Sequence, residues 1–296
     1  MKDRMQNNLN RLGATMTDRR PGGKGTAKIL IILLVVVLVI AGFAAYVFFI
    51  EPVWLKTTEY TIYDERIPLE FDGYEIVFVS DIHHGPFVSY DRVEELKERI
   101  NSMEADLVLL GGDYVHRGPA YVAPAFRALT GLMANDGVMG VLGNHDHWDG
   151  EQETRDGFAV AGITDIDNRS VFIEKGNSMI NVSGVGDYDE DVQVFARDED
   201  VFTILVSHNP DYIAELDTDR PDLMLSGHTH GGQVTLFGLW APFIPSEFGN
   251  RFRYGEIVYN DITLIVTSGV GTITPPARFF ARPEIVRITL RSGDGD

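Results

Sequence analysis

The 296-residue chain contains no cysteine. That excludes disulfides, thiolate nucleophiles and Cys-ligated zinc sites, so any metal is held by nitrogen and oxygen donors, and stability comes from a packed core. Positive charge is also scarce. Seven of the 25 Lys and Arg side chains fall in residues 1–28, beside two acids, and none falls between Ile29 and Ile50. Residues 51–296 hold 18 basic and 42 acidic side chains, a net charge of −24. Such a surface repels nucleic-acid phosphates and argues against that class of partner. A small phosphate substrate remains open, because bound divalent cations reverse the field locally. Internal repeats and low-complexity linkers are missing too. One globular domain behind one apolar segment is the economical organisation.

The apolar segment runs for 22 residues, Ile29 to Ile50, without a charge. A bilayer core needs roughly 20 residues at helical rise. The basic flank (Lys2, Arg4, Arg11, Arg19, Arg20, Lys24, Lys28) keeps the amino terminus in the cytoplasm, so the sequence predicts that everything after Glu51 is exported. A cleavable signal peptide is the rival. It calls for an apolar stretch of about 7–15 residues with a small-x-small site after it. Here the stretch is longer, and Gly42-Phe43-Ala44 lies inside it. Arg19-Arg20 precedes Pro-Gly-Gly rather than the apolar residues of a twin-arginine signal. The expectation is a single-pass anchor with a basic cytoplasmic tail over 1–28.

Glu51-Pro52 is expected to end that helix, since proline cannot continue one. An extended stretch around Tyr60–Tyr63 follows. Five apolar runs then read as buried strands: Glu75–Ser80, Asp106–Leu110, Val138–Leu142, Phe202–Val206 and Asp222–Leu225. Helical patterns separate them, over Arg92–Met103 (Val93, Leu96 and Ile100 on one face), Pro124–Met133 and Asp211–Leu216. The alternation implies an α/β sheet covered on both faces. Residues 170–187 and 254–290 look like consecutive strands, a possible second sheet.

All eight histidines lie in five short segments, each directly after one of those runs. They are Asp81-Ile82-His83-His84, Asp113-Tyr114-Val115-His116, Asn144-His145-Asp146-His147, Ser207-His208-Asn209 and His228-Thr229-His230. Ligands of open α/β sheets bind beyond the carboxyl ends of the strands. Imidazoles beside Asp and Asn at five such ends point to a metal site of mixed N/O donors. A lone histidine there would be an ordinary loop or capping residue; five coincident segments are not.

The string Asp81-x-His83, Gly112-Asp113, Gly143-Asn144-His145-Asp146, His208 and Gly227-His-Thr-His-Gly-Gly-Gln233 resembles the calcineurin-like metallophosphoesterases over roughly residues 74–290. With Arg282-Pro-Glu-Ile285 it is similar to their membrane-anchored bacterial branch, whose near relatives act on lipid or cell-envelope phosphoesters. The resemblance implies an α/β fold, a four-layer αββα sandwich over 74–296, after one transmembrane helix (29–50) and a connector with a first strand (51–73). It implies two divalent metal ions. Asp81, His83 and His230 would hold the first, Asn144, His208 and His228 the second, and Asp113 would bridge them. Sulfur-free donors suit Mn, Fe or Zn better than Mg alone. A bridging carboxylate and a neutral Asn oxygen make sense between two close cations. The implied reaction is phosphoester hydrolysis by a metal-bridging hydroxide. His145 would be the catalytic proton donor and Asp146 would orient its imidazole.

His84, His116 and His147 exceed that ligand set. His84 is carried as a substrate contact, and His116 and His147 as loop residues. Leu236–Pro245 is unusually apolar for a loop, either a lip for an acyl chain or bilayer around Trp240, or a segment packed into the core. Arg251, Arg253, Arg278 and Arg282 are candidates for a second phosphate or for ordinary salt bridges. The expected partner is a phosphoester, monoester or diester, possibly lipid-linked. The alternatives are a pyrophosphate hydrolase of a nucleotide-linked lipid and a non-catalytic envelope binding protein.

Overall fold

The computed structural model describes residues 23–187, 200–216 and 221–295. Most of the basic tail, residues 1–22, lies outside them. Contacts divide the chain at Tyr46 into an amino-terminal unit and a unit spanning Val47–Asp296.

In the first, helix α1 covers Gly23–Ala45. Helical geometry then continues through a π turn, Tyr46–Ile50, and a 3₁₀ turn, Glu51–Val53. The apolar helical stretch thus extends over Ala27–Val53, by length and composition enough to cross a bilayer. It does not stop at Glu51. Pro52 sits in the first residues of the 3₁₀ turn, where no amide hydrogen is needed.

The second unit holds two six-stranded sheets. Strands β1 (Lys56–Asp64), β2 (Glu75–Val79), β3 (Leu107–Leu110), β4 (Val138–Gly140) and β5 (Thr164–Asp165) belong to the first sheet, with β12 (Glu284–Ser292). Its order is β1-β12-β2-β3-β4-β5. The second, ordered β10-β11-β9-β8-β7-β6, contains β6 (Arg169–Lys175), β7 (Ser178–Gly184), β8 (Thr203–Val206), β9 (Leu223–Ser226), β10 (Gly255–Tyr259) and β11 (Ile262–Val266). Each sheet has a parallel core, β2-β3-β4-β5 in one and β7-β8-β9-β11 in the other. The expected strands in 170–187 and 254–290 exist, but they part company: β12 pairs antiparallel with β2 and joins the first sheet.

Between the sheets lies one apolar layer, including Ile76, Phe78, Leu107, Leu109, Ile204, Leu223 and Ile288. A second apolar layer lies under helices α2 (Tyr90–Asn101), α3 (Val122–Leu129) and α4 (Asn144–Ala161) on the outer face of the first sheet. Helix α2 starts where the Ser89 hydroxyl accepts from the Arg92 amide, and it buries Val93, Leu96 and Ile100. The outer face of the second sheet is covered more thinly. The 3₁₀ segments Pro210–Glu215 and Gly249–Phe252 pack Tyr212, Ile213 and Phe252 onto it. Strands buried on both faces explain the unbroken Val/Leu/Ile runs. They also fix where the chain surfaces: the carboxyl ends of β2, β3 and β4 in one sheet and of β8 and β9 in the other.

Candidate metal centre

Five donor-bearing residues sit just past those strand ends with positive φ: Asp81 (56°), His83 (49°), Asp113 (59°), His228 (66°) and His230 (53°). Left-handed backbone is uncommon outside glycine, and Asp, Asn and His tolerate it best. The reversal turns each side chain back over the sheet end. Gly112 (φ 91°) allows the β3 turn to pass Gly143, whose amide nitrogen lies 2.5 Å from where a Cβ on Gly112 would sit. Asn144 and His145 enter from the first turn of α4.

Two donor groups result, Asp81, His83 and His230 in one and Asp113, His208 and His228 in the other. In the first, His83 Nε2 lies 3.0 Å from His230 Nε2, and Asp81 Oδ1 lies 3.4 Å from His230 Nε2 and 3.8 Å from His83 Nε2. In the second, Asn144 Oδ1 is 3.1 Å from His208 Nε2 and 3.0 Å from His228 Nδ1. Asp113 Oδ2 stands 3.4 Å from Nε2 of both His83 and His208, between the groups.

These separations test the donor set. Ligand bonds of about 2.0–2.2 Å put tetrahedral ligand atoms roughly 3.4 Å apart. The observed spacings of 3.0–3.8 Å match the edges of such polyhedra. Paired imidazole nitrogens face one another without a carbonyl between them, which is favourable only around a proton or a cation. The donors fit divalent metal.

Burial and charge agree. Burial, reinforced by the neighbouring imidazoles, lowers His83 and His228 to about 3 and His230 well below its ordinary value. All three are therefore neutral, the form a metal needs. His208 behaves oppositely. Burial opposes its charge, but the Asp113 carboxylate outweighs that and raises it to about 10. Asp113 is itself held well below the carboxylate range by His208 and His83 despite burial. Burial pushes Asp81 up to about 6, with His208 opposing and Asp113 adding to the rise.

The outward nitrogens are anchored. His208 Nδ1 meets the Gly111 carbonyl at 2.7 Å, and His83 Nδ1 meets that of Val115 at 3.2 Å. The His228 amide donates to Asp81 at 3.1 Å. Sequence reasoning could not find these carbonyl partners, since any residue supplies one.

His145 stands at the rim with its ring against those of His83 (4.8 Å between centroids) and Trp148 (5.1 Å). Its amide donates to Asp113 Oδ1 at 2.9 Å, and its Nδ1 lies 3.8 Å from Asp149 Oδ2. Asp146 is placed differently from the expectation. Its carboxylate accepts from the amides of Asp113 (2.7 Å), Gly143 (2.9 Å) and Tyr114 (2.9 Å). Both oxygens are committed to backbone, not to the imidazole of His145. Burial and the Asp113 charge push Asp146 up to about 8 against those amides.

His116, expected as a loop residue, reaches the cluster: His83, His116 and His145 form a third group, with His116 Nδ1 3.4 Å from His145 Nδ1. Burial and the neighbouring His145 lower it to about 4. His147 lies 3.4 Å from Glu151 on its own helix. His84 turns away, its Nδ1 on the Val88 carbonyl at 2.9 Å and its ring edge-on to Tyr121.

The arginines are occupied elsewhere. Arg251 lies over the ring of Tyr259 at 4.7 Å, and Arg282 over Trp54 at 4.0 Å. Arg253 donates to the carbonyls of Gly231 and Gly238, and the fully buried Arg278 to those of Gly271, Ser268 and Ala281. Trp240 is half exposed on the loop after β9. Beside the donors, an open cavity of about 410 Å³ is lined by Asn144, Trp148, Asp187, Asn209 and His228, with Glu247 at its wall.

Residues 74–232 match the model of the calcineurin-like phosphoesterase family. The metallophosphoesterase YkuE of Bacillus subtilis is 32% identical over 265 residues, 85% of this chain and 90% of the relative. The phosphodiesterase YaeI of Escherichia coli is 29% identical, covering 83% of this chain and 92% of the relative. A zebrafish transmembrane protein with a metallophosphoesterase domain is 26% identical over 96% of this chain and 68% of its own length. The family match takes in more than half of the chain and every strand end that carries a donor, and the protein belongs to the calcineurin-like phosphoesterases: it is a metallophosphoesterase.

Proposed function

We propose that the protein hydrolyses a phosphoester, monoester or diester, of an envelope or lipid-linked substrate with two divalent cations. The observation that carries the binuclear reading is Asp113 Oδ2, equidistant at 3.4 Å from one imidazole of each donor group. Asp81, His83 and His230 would hold one cation, Asn144, His208 and His228 the other, with Asp113 as the ligand common to both. When bound, the cations, Mn, Fe or Zn by donor type, supply Lewis acidity and lower the pKa of water.

The chain's own groups do the rest. His145, whose imidazole stands at the rim beside His83, is the group assigned to protonate the leaving oxygen. Gly111 and Val115 carbonyls fix the tautomers of His208 and His83, keeping the cluster-facing nitrogens free for ligation. The carboxylates lining the cavity, Asp187, Asp211 and Glu247, suit a leaving group without further anionic charge.

The basic flank of the apolar stretch supports an exported catalytic domain. Activity of a carboxyl-terminal reporter that works only in the cytoplasm would overturn that topology. Hydrolysis is tested on the full chain, stripped of metal and reloaded with Mn, Fe, Zn or Mg, using chromogenic phosphate monoesters and bis-diesters. Turnover with at least one metal, lost by 10³-fold or more in Asp113→Ala, is expected for removal of a shared ligand. Undiminished turnover in that variant sinks the binuclear reading.

A further inference from the structure

The loop that leaves the metal centre carries a surface that the chemistry does not use. From Val234 to Ser246 the chain has no charged residue. Core packing was one expectation for it, but Leu239 is 82% exposed, Phe243 74% and Phe237 69%. The segment is nonetheless firmly built. Its Leu236 amide donates to Trp240 (2.7 Å) and its Thr235 amide to Phe279 (2.9 Å), and Arg253 ties Gly238 to Gly231, next to the donor His230. Phe237 packs against Phe280, which is itself half exposed. Hydrogen-bonded backbone that presents large apolar side chains to water marks a docking surface.

Its neighbours say what covers it. Residues 278–282 sit on the stretch where the apolar span enters this unit. The Arg278 amide donates to the Val47 carbonyl (3.0 Å), the Ala281 amide to Glu51 Oε1 (2.8 Å), and Arg282 stacks on Trp54. Phe49, Val53 and Trp54 are exposed there as well, while Glu51, the one carboxylate of that stretch, is turned inward and buried. The exposed aromatics are therefore continuous with the residues at which the span ends, and a guanidinium borders them. Aromatic rings with a basic rim are the composition of the membrane interface.

We infer that the loop Val234–Phe243, with Phe280, docks into the interfacial layer of the bilayer and holds the metal centre at the membrane surface. The assignment rests on reading Ala27–Val53 as the anchor. The absence of cysteine permits a direct test in the full chain, reconstituted into phosphatidylcholine vesicles containing phosphatidylglycerol. Single spin labels are placed at Leu239→Cys and Phe243→Cys, with Val36→Cys in the span and Val258→Cys on the exposed edge strand as references. Collision with oxygen in the hydrocarbon and with a water-soluble nickel complex is then measured. The expected result is oxygen-dominated relaxation at 239 and 243, as at 36, and nickel-dominated relaxation at 258. Nickel access at 239 and 243 with an oxygen-dominated 36 overturns the docking surface alone. Labels at 239 and 243 screened from both probes report a protein neighbour, a second copy included, and also overturn it. Nickel access at 36 overturns the anchor itself, and the docking assignment falls with it.

Discussion

Replacing Asp146 separates two roles for a residue next to the proposed proton donor. Its two oxygens accept from three buried amides, those of Asp113, Gly143 and Tyr114. These amides belong to the turns after β3 and β4, so one carboxylate fastens two ligand-bearing loops together. In Asp146→Ala all three donors lose their acceptor. A buried donor left unsatisfied costs about 1–3 kcal/mol, so three cost roughly 3–9 kcal/mol. Against a typical stability of about 5–15 kcal/mol, this is most of what holds a domain folded. Asp146→Asn is milder. Its oxygen keeps the Asp113 and Gly143 amides while its NH₂ group faces the Tyr114 amide, so one bond is lost, at about 1–3 kcal/mol.

The assay is urea unfolding of the detergent-solubilised full chain, paired with kinetics on a chromogenic diester. The expected order of unfolding midpoints is wild type, then Asn, then Ala, with metal affinity falling in the same order because Asp113 is displaced. If Asp146→Ala unfolds at the wild-type midpoint and only kcat falls, the reasoning is wrong. The carboxylate would then serve the imidazole of His145, as the sequence alone suggested.

Metal loading is expected to release a proton from the His208–Asp113 pair, because Asp113 raises His208 to about 10 while His83, His228 and His230 are already neutral. Calorimetric titration at neutral pH in two buffers of different ionisation enthalpy reads this as net proton release, with apparent affinity rising as pH rises toward 10; no buffer dependence would refute it. Gly112→Ala adds a Cβ at φ 91° and 2.5 Å from the Gly143 amide nitrogen. Backbone strain and overpacking of about 1–3 kcal/mol each predict a marked loss of thermal stability, and an unchanged melting curve would contradict the geometry.

The sequence could reveal what repeats or clusters. Buried strands announce themselves as Val/Leu/Ile runs, and the histidines could be placed after them because the runs end in Gly, Ser or Asp. It could not show that three of those strand ends belong to one sheet and two to the other. Sheet membership is set by pairing between distant segments, as where β12 lies between β1 and β2 with Val286 opposite Phe78 and Glu284 opposite Lys56. Helix α4 has little sequence signature because its first turns, Asn144 to Gly150, carry donors in place of an apolar stripe, and Gly150 (φ 147°) breaks its regularity. The direction of Asp146 is equally hidden in the sequence. Adjacency to His145 in sequence says nothing of direction, and on a helix neighbouring side chains point about 100° apart.

The left-handed residues explain why so much of this centre is built from behind. Asp81, His83, Asp113, His228 and His230 each sit in a conformation that costs a non-glycine residue free energy, least for Asp and His. Residue type at these positions is therefore chosen twice, once for ligation and once for tolerance of positive φ. Such turns persist only where their surroundings overdetermine them. The Asp146 carboxylate clamps the β3 and β4 turns, the Gly111 carbonyl holds His208, and the buried Arg278 gathers the carbonyls of Ser268 and Gly271 behind Asp81. Gly269 and Gly271 pack so tightly there that a side chain on either would strike Asp81 or its neighbour's backbone. The donors are thus brought within coordination distance by the protein's own hydrogen bonds, and cations entering the site complete an arrangement whose conformational cost the fold has already met.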